Sequence, residues 1–185
     1  MTLAARLAAL LRADAVRWRA LGLVAALDLP GGGWIGAGFL RNAVWDALHG
    51  RAAPHDGDVD VAWHAPAHAS PAADAAAEAA LRAMEPSLAW SVRNQARMHV
   101  RNGDAPYGSV EDALRHWPET ATAVAARRHG EACEILAPHG LEDLFSLVLR
   151  PTPGFTTGPK HAIFRRRMAE KAWLTRWPRL TLSGA

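Results

Sequence analysis

Gly36-Ala37-Gly38-Phe39-Leu40-Arg41-Asn42, followed at some distance by Asp58-Val59-Asp60-Val61, is the stretch on which the reading of this chain turns. The short apolar run Trp34-Ile35 leads into it and reads as a buried strand ending in a tight glycine corner. From Phe39 the apolar residues Leu40, Val44, Trp45 and Leu48 recur near the helical period, and Gly50 stops the helix. Asp58 to Trp63 then alternates acid and apolar, the period-2 mark of a strand with one buried face, and Pro66 ends it. The local order is therefore strand, glycine corner, helix, acidic strand.

Working outward, Leu3, Leu7, Leu10 and Leu11, then Val16, Leu21, Val24 and Leu27, predict two packing helices within residues 1–30, with Asp14 capping the second. Ser70 and Pro71 open an alanine-rich helix to about Met84, Leu88 to Val92 reads as a strand, and Ser109 caps a short helix through His116. Two apolar runs, Ala121 to Ala126 and Ala132 to Leu136, flank a turn at His129-Gly130 and suggest an antiparallel pair. Leu141 to Leu149 looks helical, Arg150 to Pro153 is a proline-broken connection, and a C-terminal helix is expected within about 158–176.

Composition narrows the function classes. The 185 residues, half of them hydrophobic and 21% charged, suit one globular domain spanning 1–185. No run approaches the roughly 20 apolar residues a bilayer demands, since Leu21 to Leu29 is interrupted by Asp28. The N-terminal segment carries Arg6 and no small-residue cleavage site, so a cytoplasmic protein without a membrane partner is expected. Cys133 is the sole cysteine, which excludes an internal disulfide and a cysteine-built zinc site. The net charge of +3 is small, and no block of like charge exceeds Arg165-Arg166-Arg167, so basicity alone is poor evidence for nucleic-acid binding.

Asp58 and Asp60 are the residues richest in chemical meaning. Side chains two apart on a strand share a face, so their carboxylates stand side by side, roughly 6 to 7 Å apart at the backbone. The pair is either the solvated face of an edge strand or a site for a divalent cation that relieves their repulsion. Magnesium suits such a site, because it takes one or two protein carboxylates and completes its octahedron with water and phosphate oxygens. The corner Gly36-Ala37-Gly38 opens a helix whose first amides are free, and bare main chain there admits a phosphate. A nucleotide triphosphate and its metal need both features in one place.

The run Gly36 to Asn42, the following Val44-Trp45-Asp46-Ala47-Leu48-His49-Gly50 and Asp58-Val59-Asp60-Val61 resemble the head motif of the DNA polymerase β-type nucleotidyltransferase superfamily, and are similar to the CCA-adding and poly(A) polymerase pattern. Further blocks, Trp90 to His99, Trp117 to Thr122, Ala137 to Phe145 and Arg150 to Pro153, resemble a bacterial nucleotidyltransferase-like family once catalogued as a domain of unknown function. This resemblance implies an α+β nucleotidyltransferase (polymerase β-like) fold, a mixed sheet flanked by helices. It also implies a magnesium-dependent transfer of a nucleoside monophosphate from a nucleoside triphosphate to a hydroxyl on an acceptor, whether small molecule, protein or RNA. Asp58 and Asp60 would be the catalytic metal ligands, and Gly36, Ala37, Gly38, Arg41 and Asn42 the nucleotide-binding residues. An inactive binding or regulatory module is the alternative.

The sequence departs from that pattern in instructive places. Ala37 adds a methyl where such motifs commonly have glycine. A third carboxylate is not evident on the strand Leu88 to Val92, which runs into Arg93, Asn94 and Gln95, so Glu134 and Glu119 are the candidates, Glu134 being taken as the third catalytic acid. Asp56 either joins the metal or ends the loop. Asn94, Gln95, Arg97 and His99 are either contacts to base or acceptor or a hydrogen-bonded network beneath the site. His55 and His64 show no zinc spacing and read as surface residues. The basic stretch Arg165, Arg166, Arg167, Lys171 and Arg176 is either a solvated helix or a seat for an anionic acceptor.

Overall fold

The computed structural model describes residues 1–184. In chain order the elements are helices α1 (Leu3–Ala13) and α2 (Ala15–Ala26), strand β1 (Trp34–Gly36), helix α3 (Gly38–Leu48), strand β2 (Asp58–Trp63), helix α4 (Pro71–Met84) and strand β3 (Ala89–Asn94). Then follow helices α5 (Met98–Asn102) and α6 (Val110–Arg115), strands β4 (Ala125–His129) and β5 (Ala132–Leu136), helix α7 (Glu142–Phe145), strand β6 (Val148–Leu149), helices α8 (Gly158–Glu170) and α9 (Trp173–Arg176), and strand β7 (Thr181–Leu182). The expected caps operate: Asp14 accepts from the Arg17 amide, Ser70 from Ala73 and Ser109 from Asp112.

The main sheet has the order β3-β2-β1-β4-β5. Only β2 and β3 run parallel, joined through α4 as a crossover helix; the remaining pairs are antiparallel. The sheet is mixed and flanked by helices, as the resemblance implies. Register follows from alternation. On one face Ile35, Val59, Val61, Trp63, Trp90 and Val92 join Leu7, Leu11, Leu21, Val24, Trp45 and Leu81 in the principal core. Asp58, Asp60 and Ala62 point to the other face, where a smaller cluster of Trp34, Ala62 and Ala125 is covered by Val110 and Leu114 of α6. Slipping β2 by one residue would drive both aspartates into the core and expel Val59 and Val61, so the register is firmly held.

Buried polar groups secure the crossover. The Asp74 carboxylate, on α4, accepts from Trp63 Nε1 at 2.9 Å, from the Asn94 amide at 2.8 Å and from Arg97. The Asn94 side chain bonds the main chain of Ala65, His68 and Ala96. For Asn94 and Arg97 the network reading therefore applies, and the polar cluster is divided: Gln95 alone of those four also reaches the cleft described below.

Three expectations are corrected. Of the run Ala121 to Ala126 only Ala125 and Ala126 are strand; Ala121 and Thr122 to Val124 form a buried, irregular segment in which the Thr122 and Ala123 amides return to the Glu119 carbonyl. The helix at Leu141 to Leu149 stops at Phe145, because Leu147 takes φ 60 and turns the chain into β6 so that Leu149 is buried beside it. The C-terminal helix breaks after Glu170, where Ala172 takes φ 49 before α9, swinging Trp173 and Trp177 edge-on against Trp45.

Candidate active site

Two clefts meet on the open face of the sheet. The smaller, about 420 Å³, is walled by Gly38, Arg41 and Asn42 of α3, by Asp58 on β2, and by Lys171 and Arg176 at the C-terminal end. The larger, about 960 Å³, extends over Ser91 and Arg93 of β3 toward α5 and α8. Ala37, Asp60, Thr122 and Arg167 line both. The glycine corner and the acidic pair thus face one space.

At the corner the main chain is strained. Ala37 sits at φ 53, ψ −132, a region that glycine enters freely and alanine does not. No side chain caps α3, so the amides of its first turn lack helical partners, and Gly38 at its start lines the smaller cleft. The two glycines differ in duty. Gly36 lines neither cleft, and a Cβ there would lie 3.0 Å from the Trp117 ring and 3.1 Å from the Val124 carbonyl, so its bareness serves packing. Gly38 lines the smaller cleft, and its missing Cβ faces Arg41 Nη2 and Asn42.

Arg41 is buried, yet it pairs with no acid among the described residues. Its Nη1 donates to Thr122 Oγ1 and its Nη2 to Asn42 Oδ1, each at 2.9 Å, while the guanidinium lies over the Trp173 and Trp45 rings at 4.2 and 4.7 Å. Its Nε has no partner among the described residues. Burial, against the pull of Glu119, lowers its pKa to about 10, so it is still a cation at neutral pH. Nearby Arg167 and Arg176 repel it. A gathering of guanidinium groups with an orphaned donor is a site that an anion satisfies.

Burial and then the Asp58 charge raise the Asp60 pKa to about 6, against the pull of Arg41, Arg93 and Lys171. Asp56 is held on the rim by Arg176 at 2.8 and 3.0 Å, which outweighs its slight burial and keeps its carboxyl below the usual range. It lines the smaller cleft beside Asp58 and Asp60 as the ion-pair partner of Arg176.

Glu134 stands apart. It lies on β5, three strands from β2 and hence roughly 14 Å away across the sheet, and pairs with Arg127 at 2.7 Å. It lines neither cleft, so the expectation of a third acid there is set aside. Glu119 is fully buried and accepts from Arg167 Nε at 2.6 Å and Nη2 at 3.2 Å. The residue opposite Asp60 on β3, where a third carboxylate would converge, is Ser91. Among the described residues no group of three acids, histidines or cysteines is placed to hold a metal.

A family model described as nucleotidyltransferase matches residues 22–182. The chain belongs to this nucleotidyltransferase family. Among solved structures it is similar to a protein whose NMR structure reveals a CCA-adding enzyme head domain, with 30% identity over 97% of this chain and 95% of that one, at a TM-score of 0.85. A tRNA-processing enzyme in an apo form shares the fold at 17% identity and a TM-score of 0.58; the match covers 92% of this chain and 44% of that one. No curated protein matches.

Some walls of this candidate site are not legible in the sequence. His55 is half-buried in the wall of the smaller cleft: its ring packs edge-on against Phe39 at 4.7 Å, Nε2 lies 3.2 Å from the Asp58 carbonyl, and burial, then Arg17, hold its pKa down. Arg166, Arg167, Lys171 and Arg176 reach the clefts, while Arg165 remains exposed outside them. Only the break at Ala172 presents residues on both sides of it to one site, and periodicity carries no sign of that break.

Proposed function

We propose that the protein is a magnesium-dependent nucleotidyltransferase that moves a nucleoside monophosphate from a nucleoside triphosphate to a hydroxyl of an acceptor. The observation that carries this is the smaller cleft itself, where an acidic pair in mutual repulsion faces a corner of bare main chain and a buried arginine lacking an acid. The donor set fits magnesium: two carboxylates on one face, with open space for water and phosphate oxygens. Magnesium held there supplies charge neutralisation to the triphosphate and lowers the pKa of the acceptor hydroxyl.

The chain's own residues do the rest. The first-turn amides of α3, Gly38 and Arg41 hold the β and γ phosphates, and Asn42 fixes the Arg41 guanidinium by its 2.9 Å bond. Arg167, at the junction of the two clefts, faces the phosphate being transferred. The acceptor oxygen forms a bond to the α phosphorus, the bond from that phosphorus to the α–β bridging oxygen breaks, and pyrophosphate leaves with the electron pair. The hydroxyl proton passes to solvent. The cytoplasm, where nucleoside triphosphates and magnesium abound, is the compartment this reading requires.

Pyrophosphate release from a triphosphate mixture with magnesium and candidate acceptors tests the reading. Asp58→Asn and Asp60→Asn are expected to lower it at least a hundredfold, on the order of 3 kcal/mol of barrier; turnover indifferent to both substitutions would refute it. Ser91 favours a second reading, in which the fold binds nucleotide without turning it over. Magnesium-dependent binding with no pyrophosphate release for any acceptor supports that alternative.

A further inference from the structure

The larger cleft differs in chemistry from the smaller one, and the difference specifies an acceptor. Its only acid is Asp60, at the junction, whereas Arg93, Arg101, Lys160, Arg166 and Arg167 all turn toward it. The acids paired with four of these cations line neither cleft: Glu78 with Arg93, Asp104 with Lys160, Glu119 with Arg167 and, in an exposed pair at 3.9 Å, Glu170 with Arg166. Arg101 has no acid partner among the described residues. Between the cations lie Trp117, Phe155, Met98 and Ile163, an apolar surface for the body of a molecule. Gln95 and Asn102 offer polar contacts among them.

The cleft is also bounded. Lys160 of α8 bonds Asp104, which follows α5, so the C-terminal helix is tied across one end, and Asp104 is further engaged by Tyr107 and His116. Its volume of about 960 Å³ lies at the upper end of small-molecule pockets. Other surface arginines also pair with acids, as in Arg82–Glu78, Arg115–Glu111, Arg128–Glu131 and Arg150–Asp143.

We propose that the larger cleft is the acceptor site and that the acceptor is a small phosphomonoester with a ring-bearing body, its phosphate seated among Arg101, Lys160 and Arg166 and its hydroxyl presented at Asp60. This rests on the nucleotidyltransferase reading for the word acceptor, though not for the binding itself. The charge of the walls disfavours a cationic polyol, and a neutral sugar leaves Arg101 without an anionic partner.

Calorimetric titration without nucleotide or metal tests it, using glucose 6-phosphate and AMP against glucose and adenosine, with an aminoglycoside and a short single-stranded RNA as further arms. At least one phosphomonoester is expected to bind tenfold or more tighter than its unphosphorylated counterpart and tighter than the aminoglycoside. Arg101→Gln with Arg166→Gln, both at exposed positions, is expected to remove about tenfold of that affinity without lowering the melting temperature. Equal binding of phosphorylated and unphosphorylated probes, no binding of either phosphomonoester, tighter binding of the aminoglycoside, or RNA binding that exceeds both phosphomonoesters overturns the proposal. Failure of Asp58→Asn to weaken nucleotide binding would instead fell the nucleotide reading, and would leave this titration standing.

Discussion

At the residue scale, the informative groups are those whose surroundings oppose their native state. Ala37 holds a backbone angle that costs on the order of 1–3 kcal/mol for a residue with a Cβ. Ala37→Gly is therefore expected to stabilise the fold by about 1 kcal/mol in denaturant unfolding, the relief of strain exceeding the added entropy of the unfolded chain. Asp60 tells a parallel story through protons. Its pKa of about 6 lies above the ordinary 3.8, so the metal-free fold binds that proton more tightly than the unfolded chain does. Stability is full at low pH for this group and declines as pH rises from about 3.8 through about 6. Asp60→Asn is expected to stabilise the metal-free fold at pH 8 by about 1–3 kcal/mol, read as a higher melting temperature, while lowering turnover at least a hundredfold. Activity of the unaltered protein should in turn fall on acidification below about pH 6, and Asp58→Asn should shift the Asp60 titration, followed by NMR, downward.

At the scale of elements, the glycine corner, the acidic strand and the hairpin turning at Gly130 were legible because each writes its geometry locally: a small-residue break, strict alternation, a turn dipeptide. The ends of the helices at Leu147 and Ala172 were not legible, because there a non-glycine residue takes a positive φ for the sake of burying Leu149 and Trp173, a tertiary demand that overrides local preference. The third acid misled for a related reason. Glu134 shares a face with Asp60, but the strand order that sets it three strands away is not encoded in spacing. Glu119 instead anchors α8 through Arg167. Removing Arg167 leaves a fully buried carboxylate without its pair, so Arg167→Ala is expected to cost about 3–5 kcal/mol in chemical denaturation. Glu119→Gln should cost less, since Arg167 is partly exposed and able to turn toward solvent.

At the scale of the whole molecule, the sheet divides labour between its faces. One face joins the helices in a core that fixes the register of β2; the other holds two clefts that meet at Asp60, which we propose for a triphosphate and for an anionic acceptor. No described helix is long and apolar enough to cross a membrane. Calorimetry of ATP with and without magnesium bears most directly on the claim that the corner and the acidic pair grip one ligand. Magnesium is expected to tighten ATP binding at least tenfold, about 1.4 kcal/mol, and Asp58→Asn with Asp60→Asn to abolish this gain. ATP affinity indifferent to magnesium, or a magnesium gain that survives in the double variant, would contradict that claim.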